Sequence, residues 1–587
     1  MDDTVYDVLT NGHAGMLHDT QRHQAYKSAI HDAIKKIHES GDIVTLLDIG
    51  YGTGLLTMYA AEAGAETVVA CESDETMAEI GKKIVLSNQL RFKKPCNFKF
   101  ETASSSMLDK LNPNYKNCFN VIVSEIYDSE LIGEGCLTTY RHALMNLATK
   151  NCIFIPSQAT LFAQSVFSPI LSSYSYLEEI SCRKLKKVHL ELQSSWEVHV
   201  DRIKDIELGE IIKICHFDFN LSSINDWSGK WIVDIHNNKM SHGVLVWWKS
   251  EMGSSNFITT APSSNAEYQG FRDHWMPLFY SLCPQSIDKL SFEVEINDME
   301  VHVRHPVDLN CFCKGNRPKF IELSLHRYVG MTNCSKLRNA YMKCIHNVED
   351  PRKTAQKYKK FVHIGLNSFV KYLIPDANIR NKIKEIDNVV LDDIRDSVII
   401  DSCIHPQCLT TVSHFYRRKQ LERSIGTNCI LIPNDVVLMV SLVECYQLRN
   451  KNIVPSEIDG FDLSHYSSKV KECLEACRAQ DMFEPIHLWE YDYVLLSSPS
   501  QLKNFENTDC AIRKILPVHQ SGTVTNVILS LAFYFDGECL EFDNTDYFNK
   551  VDCFTPVNCL DVENGDKVGV IFTLINGEID KIELEKL

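Results

Sequence analysis

Positive charge is scarce along this 587-residue chain: 60 Lys and Arg stand against 77 Asp and Glu, a formal net charge of −17. Binding to a phosphate backbone draws on clustered Lys and Arg, so direct nucleic-acid binding is not expected. A basic peptide suits such a field better. Long apolar runs are also missing. None reaches the roughly 18–20 residues of a membrane-crossing helix, and no membrane partner is expected. The opening residues, MDDTVYDVLTNGHAG, carry neither a basic nor an apolar leader region, so no secretory signal is read. The 22 cysteines lack the regular spacing of a secreted disulfide scaffold. Together these absences lead to the expectation of a cytoplasmic and nuclear chain with reduced thiols.

What is present is enough apolar material for several cores. Hydrophobic residues make up 44% and charged residues 23%, an ordinary globular balance, and the length calls for more than one domain. Residues 16–38 carry helical periodicity through Leu17, Tyr26, Ile30, Ile34 and Ile37. Strand TLLDI, a glycine turn and helix LLTMYAAEAGA follow, then strand TVVACE, helix ETMAEIGKKIVLSN, strand FKFE and strand NVIVSEI. That alternation predicts a doubly wound parallel sheet over residues 1–156. From 157 to 310 the pattern becomes strand-like, as in ATLFAQSVF and HGVLVWWKS, and predicts a barrel or sandwich. A connector, 311–345, leads to a second half that repeats the first. NCIFIP at 151–156 returns as NCILIP at 428–433, a shift of 277, and the same shift lays Val121-Ile122-Val123 on Val398-Ile399-Ile400. The expected units are a degenerate copy of the sheet domain at 346–433 and a second β domain at 434–587. The shift puts Ser402, His405 and Thr411 where Glu125, Asp128 and Glu134 stand, and Ile364 to Ser368 replace the glycine turn. Only 33 residues separate Gly365 from Val398, against 71 between Gly50 and Val121, which predicts loss of the strand that follows the glycine turn. The second copy reads as catalytically empty, packed on the first as an internal pseudo-dimer in a monomeric chain.

Two stretches carry the chemistry. In LLDIGYGTG (46–54), Gly50, Gly52 and Gly54 let the backbone turn tightly against a ligand, and the next helix points its amides at it. Glu72, 22 residues after Gly50, ends the following strand, where a carboxylate can take both ribose hydroxyls. This pattern admits NAD or S-adenosylmethionine, and the GxGxG spacing tilts toward the latter. In SEIYDSELIGEG (124–135), Glu125 and Glu134 lie nine residues apart around a loop that follows a central strand. Loop acids are usually solvated, but ligands bind at this carboxyl edge of parallel sheets. A guanidinium is always protonated and a poor nucleophile. Bringing it to a sulfonium at ~4 Å costs on the order of 4 kcal/mol at an effective dielectric near ~20. Two carboxylates offset that repulsion and orient the group by paired hydrogen bonds.

These residues resemble the protein arginine methyltransferase family. The tandem arrangement with SEIYDSELIGEG, FRDHWM (271–276), RPKF (317–320) and HLWEY (487–491) is similar to its tandem, monomethylating branch. The resemblance implies a Rossmann-like S-adenosylmethionine-dependent methyltransferase domain followed by a β-barrel domain, the pair repeated in a degenerate second copy. The implied activity is methyl transfer to protein arginine giving monomethylarginine, on arginine-rich substrates such as histones or RNA-binding proteins. The alternative is a catalytically weak or inactive scaffold. The implied clamp is Glu125 and Glu134, with Asp128 an extra acid for neighbouring arginines. Asp273-His274-Trp275 matches a Thr-His-Trp loop, in which Trp275 is counted with the substrate residues. Met16, Asp19 and Arg22 match a helix folded over the cofactor, Arg22 pairing with its carboxylate and Asp19 orienting His274 as a route for the released proton. Asp48 joins Gly50, Gly52, Gly54 and Glu72 in cofactor binding. Ser104-Ser105-Ser106 replaces the family's usual acidic contact to adenine. The family resemblance links a Cys-x-Cys to zinc, but Cys311 and Cys313 alone cannot complete a tetrahedral site, and no metal site is assigned.

Overall fold

The computed structural model describes residues 13–175, 195–220, 227–236, 240–253, 256–263, 274–282, 289–304, 330–331, 334–350, 360–364, 383–386, 396–401, 411–425, 428–476, 483–486, 491–502, 510–540, 551–556, 558–575 and 578–587. Asp273, Cys311, Cys313, Gly365, Ser402 and His405 lie outside them. The chain forms two compact units, one of residues 1–168, 193–309 and 450–476, the other of 169–192, 310–449 and 477–587.

In the first unit, helices α1 (His13–His18) and α2 (Thr20–Glu39) precede β1 (Thr45–Ile49), α3 (Leu55–Ala63), β2 (Thr67–Glu72), α4 (Glu75–Asn88), β3 (Asn97–Thr102), β4 (Phe119–Ser124), α5 (Cys136–His142) and β5 (Ala148–Ile155). The strands run parallel in the order β3-β2-β1-β4-β5. This is the doubly wound order, and it puts the carboxyl ends of β1 and β4 side by side. Leu46, Leu47, Val121 and Ile122 are fully buried at the sheet centre. Tyr26, Ile30 and Ile34, spaced by four, bury one face of α2, which packs on α3. Each isoleucine contributes up to about 2 kcal/mol there. The single helix read over 16–38 is two, because the Asp19 carboxylate accepts the Arg22 amide and caps α2.

Strands β6 (Gln158–Phe167), β7 (Trp196–Glu197), β8 (Glu207–Asp218), β9 (Gly229–His236), β10 (Gly243–Glu251), β11 (Phe257–Thr259), β12 (Leu278–Ser281), β13 (Lys289–Ile296) and β14 (Val301–Arg304) make the barrel domain. Its sheets run β7-β12-β10-β6-β8, with β11 on β10, and β14-β13-β9.

The second unit repeats the plan. Strands β15 (Lys360–Ile364), β16 (Ile383–Ile386), β17 (Ser397–Asp401) and β18 (Ile430–Ile432) lie parallel in the order β16-β15-β17-β18. The registers coincide as well: Val398 pairs Ile430 as Val121 pairs Ile153, and Val362 pairs Ile399 as Leu47 pairs Ile122. One expectation is overturned. The strand following the glycine-turn position is kept as β16, beside β15 as β2 is beside β1. Among the described residues it is the outer strand, the counterpart of β3, that has no equivalent. Antiparallel strands then continue from Asp435 to Lys586. Among the described residues no helix is long and apolar enough to cross a membrane.

Candidate active site

The glycine turn sits between β1 and α3. Gly50, Gly52 and Gly54 have φ of 72°, 48° and 82°, the left-handed region that favours glycine. At Gly54 space matters too, since a Cβ would lie 2.3 Å from Val85 Cγ2 on α4. The Gly52 amide donates to Glu72 Oε2 at 3.1 Å, and the Ser73 and Asp74 amides donate to Oε1 at 2.8 and 3.1 Å. Glu72 is thereby aimed across the turn. Asp48, fully buried, accepts the Thr57 hydroxyl on Oδ2 at 2.6 Å, while its Oδ1 meets no partner among the described residues. Burial, with a smaller push from Glu72, raises the Asp48 carboxyl to about 7. Ser105 is buried, and the Ser104 and Ser106 hydroxyls lie 3.0 Å apart.

At the end of β4 the chain leaves the sheet at Glu125, whose side chain is only 5% exposed. The Arg22 guanidinium grips its Oε2 through Nε at 3.1 Å and through a second, shorter contact from Nη2. Burial works against the Arg22 charge, but Glu125 and its neighbours more than restore it and the pKa is raised. Arg22 also lies over the Tyr26 ring, and the Tyr26 hydroxyl donates to the Ser124 carbonyl. The expectation pairs Arg22 with a cofactor carboxylate; in this structure its partner is Glu125. Met16 offers its carbonyl to the Asp19 amide. Asp19 Oδ2 lies 3.6 Å from His274 Nε2, with both side chains 6% exposed.

Glu134 faces solvent at the far end of the loop. Partial desolvation of its carboxyl, then repulsion from Glu125 and Asp128, raises it to about 7. The Trp275 indole N–H donates to the Tyr127 carbonyl at 2.9 Å. Two residues that the sequence motifs do not single out belong here as well. The indole N–H of Trp248, from β10, donates to the Asp128 carbonyl at 3.1 Å, and the Gly133 amide donates to Asp128 Oδ1 at 3.1 Å. A signal for Trp248 exists in HGVLVWWKS: consecutive tryptophans in a strand point to opposite faces, and a buried indole N–H needs an acceptor. Among the described residues no cluster of His, Cys, Asp and Glu is arranged to hold a metal.

In the second copy, Thr411, at the position of Glu134, is buried, and its amide donates to Asp552.

No family model matches the chain. Among curated proteins, it is 26% identical over 589 residues to protein arginine N-methyltransferase 7 of Bos taurus, spanning 88% of this chain and 82% of that protein. The protein of the same name from Xenopus laevis is 26% identical over 574 residues, spanning 86% and 81%. Among solved structures, the Trypanosoma brucei PRMT1 enzyme-prozyme heterotetrameric complex with AdoHcy aligns with 50% of this chain and 90% of that one, at 18% identity and a TM-score of 0.39.

Proposed function

We propose that this chain, by its similarity over most of its length to the arginine N-methyltransferases above, is a protein arginine N-methyltransferase that places a single methyl group on each target arginine, with Glu125 and Glu134 as the clamp. S-adenosylmethionine supplies the methyl group on a cationic sulfur. The residues at the glycine turn suit such a ligand. Asp48 Oδ1 is a buried polar atom without a partner among the described residues, Glu72 is fixed at the end of β2 for ribose hydroxyls, and the turn has no Cβ at Gly50, Gly52 or Gly54.

Arg22 uses only Oε2 of Glu125, which leaves Oε1 and the Glu134 carboxylate for a substrate guanidinium. Holding the guanidinium between two anions offsets its repulsion by the donor cation and fixes which nitrogen faces the methyl group. Drawing positive charge toward the held nitrogens leaves the free one a better nucleophile. The guanidinium sheds one proton in the transfer, and His274 beside Asp19 is the group we assign to take it.

The degenerate second copy is assigned a supporting role, with domain limits near 156, 310, 345 and 433. Its segment 450–476 belongs to the first unit. There Asp459 accepts the Tyr59 hydroxyl, Asn88 donates to the Asp462 carbonyl, and His18 Nε2 lies 2.7 Å from the Ile453 carbonyl. Arginine-rich proteins of the cytoplasm and nucleus are the proposed substrates.

The position of Glu125 carries this reading: it follows β4 beside the end of β1 and the glycine turn, held by Arg22 through Oε2. The reading is tested by incubation with labelled S-adenosylmethionine and an arginine-rich peptide, followed by mass spectrometry of the product. Monomethylarginine is expected. Abundant dimethylarginine at low conversion overturns the product assignment, and absence of any transfer favours an inactive scaffold.

A further inference from the structure

The loop between Glu125 and Glu134 buries Tyr127, Leu131 and Ile132 and is bonded both within itself and to the barrel. Asp128, expected to face a substrate, turns its carboxylate back into the loop, where Oδ1 accepts the Gly133 amide at 3.1 Å. The Asp128 carbonyl accepts the Leu131 amide at 3.0 Å, and Leu131 itself adopts a φ of 78°, strained for a residue with a branched side chain. Gly133 is not among the glycines with positive φ, so backbone freedom does not explain it. Space does: a Cβ there would lie 1.9 Å from Asp128 Oδ2. The glycine is the seat for this carboxylate.

The loop is also pinned from the barrel. Trp248, fully buried, donates its indole N–H to the Asp128 carbonyl at 3.1 Å, and Trp275 does the same to the Tyr127 carbonyl at 2.9 Å. The two indoles meet edge to face at 5.1 Å, and the Tyr127 ring lies 5.6 Å from Trp248. Trp248 is rigid in its turn. Strand β10 pairs on both sides with β6 and β12, and the Thr259 hydroxyl and Thr260 amide both donate to the Trp248 carbonyl.

We propose that Asp128, Gly133 and Trp248 form a bracket that sets the separation of the two clamp glutamates, and that Asp128 acts on the loop rather than by reading a neighbouring substrate arginine. The proposal rests on Glu125 and Glu134 being the arginine clamp. These three are positioning residues. A clamp that stabilises charge in the reacting complex has to be preorganised, because reorganising it during the reaction forfeits its advantage.

The test uses the full chain and two peptides that share one target arginine, one with a second arginine close by and one with a neutral residue there. Asp128→Ala and Trp248→Phe, which deletes the indole N–H and keeps an aromatic ring, should each lose roughly tenfold in kcat on both peptides, the worth of one hydrogen bond. The preference between the peptides should stay within about twofold. Asp128→Asn still accepts the Gly133 amide and should recover most of the Asp128→Ala loss. Gly133→Ala pushes the carboxylate off its seat, so combining it with Asp128→Ala should cost no more than either alone. Hydrogen exchange over residues 125–134 should speed up in Asp128→Ala and Trp248→Phe, with Asp128→Asn closer to the parent. Should Asp128→Asn abolish the preference for the second arginine while sparing the single-arginine peptide, or should Asp128→Ala leave loop exchange unchanged, the bracket is wrong. If Trp248→Phe fails to fold, the Asp128 pair of variants decides the matter. If the parent protein methylates neither peptide, the transferase reading fails, while the exchange measurements, which need no substrate, still decide the bracket.

Discussion

A solvated glutamate is fully ionised at neutral pH, whereas Glu134, raised to about 7 by desolvation and by Glu125 and Asp128, is poised between its two forms. Asp48 is raised to a similar value chiefly by burial. Only the anions attract a guanidinium or a cationic cofactor. As pH falls through 7 both carboxyls gain protons, and kcat/KM should fall up to about tenfold per pH unit for each group that titrates. Above about pH 8 a plateau is expected. The stability sign is the reverse. A carboxyl with a raised pKa holds its proton more tightly in the folded state, so its stabilising contribution is fully present below about pH 4 and is lost as pH rises from there through about 7. Glu134→Gln removes the anion and keeps the shape. It should lower transfer by at least about a hundredfold and leave cofactor affinity, measured by calorimetry, nearly intact. An equal loss of cofactor affinity would move Glu134 out of the substrate clamp.

The glycine turn makes the element-scale prediction, because two of its members fail for different reasons. Gly52 has φ of 48° and open space, with nothing within 4 Å of where a Cβ would stand, while Gly54 has φ of 82° and a Cβ there would lie 2.3 Å from Val85 Cγ2. Gly52→Ala should cost about 1–2 kcal/mol, the left-handed strain alone. Gly54→Ala adds overpacking of α3 against α4 and should cost about 2–4 kcal/mol. Urea denaturation of the two variants, read near the first sheet, checks the ranking, and equal losses would refute it. The elements around this turn are legible in the sequence because their signals are local. ETMAEIGKKIVLSN forms α4 over its whole length, with Asp74 capping it by accepting the Met77 amide. Strand β4 stops at Ser124, short of the Ile126 expected from its apolar run, because Glu125 turns off the sheet toward Arg22. Strand β16 escapes the sequence because a shortened segment does not say which strand it lacks: length says that something is gone, and only pairing says which. The bond from Trp248 to the Asp128 carbonyl spans 120 residues, where barrel register decides and composition is silent.

At the scale of the whole molecule, the two halves keep one strand register and fill the same sheet edge with different devices. Just past the first sheet, Glu125 is held by one cation of the chain, Arg22, through Oε2 alone. The second ends at Asp401, 277 residues after Ser124 and 1% exposed, and supplies cations of its own. From helix α6 (Thr411–Ser424), Arg417 donates to Asp401 Oδ1. The fully buried Arg418 donates to Oδ2 at 3.2 Å, to Glu422 at 2.8 Å and to the Pro433 carbonyl at 2.7 Å. Burial works against the Asp401 charge, but the two guanidinium groups win and hold its carboxyl down at about 2. Because the folded pKa is depressed, this cluster stabilises the second unit above about pH 4, and the contribution drains away as pH falls from about 4 toward 2. Arg418→Met strands a buried carboxylate and should cost about 3–5 kcal/mol, whereas Arg418→Met combined with Asp401→Asn should recover part of that loss. Chemical denaturation followed by hydrogen exchange over β17 and this helix measures both. The loop at 125–134 should exchange as in the parent, since the cluster serves the second unit's fold. A double variant as damaged as the sum of its singles would show that Asp401 and Arg418 are independent, and the second sheet edge would need some other explanation for its buried charge.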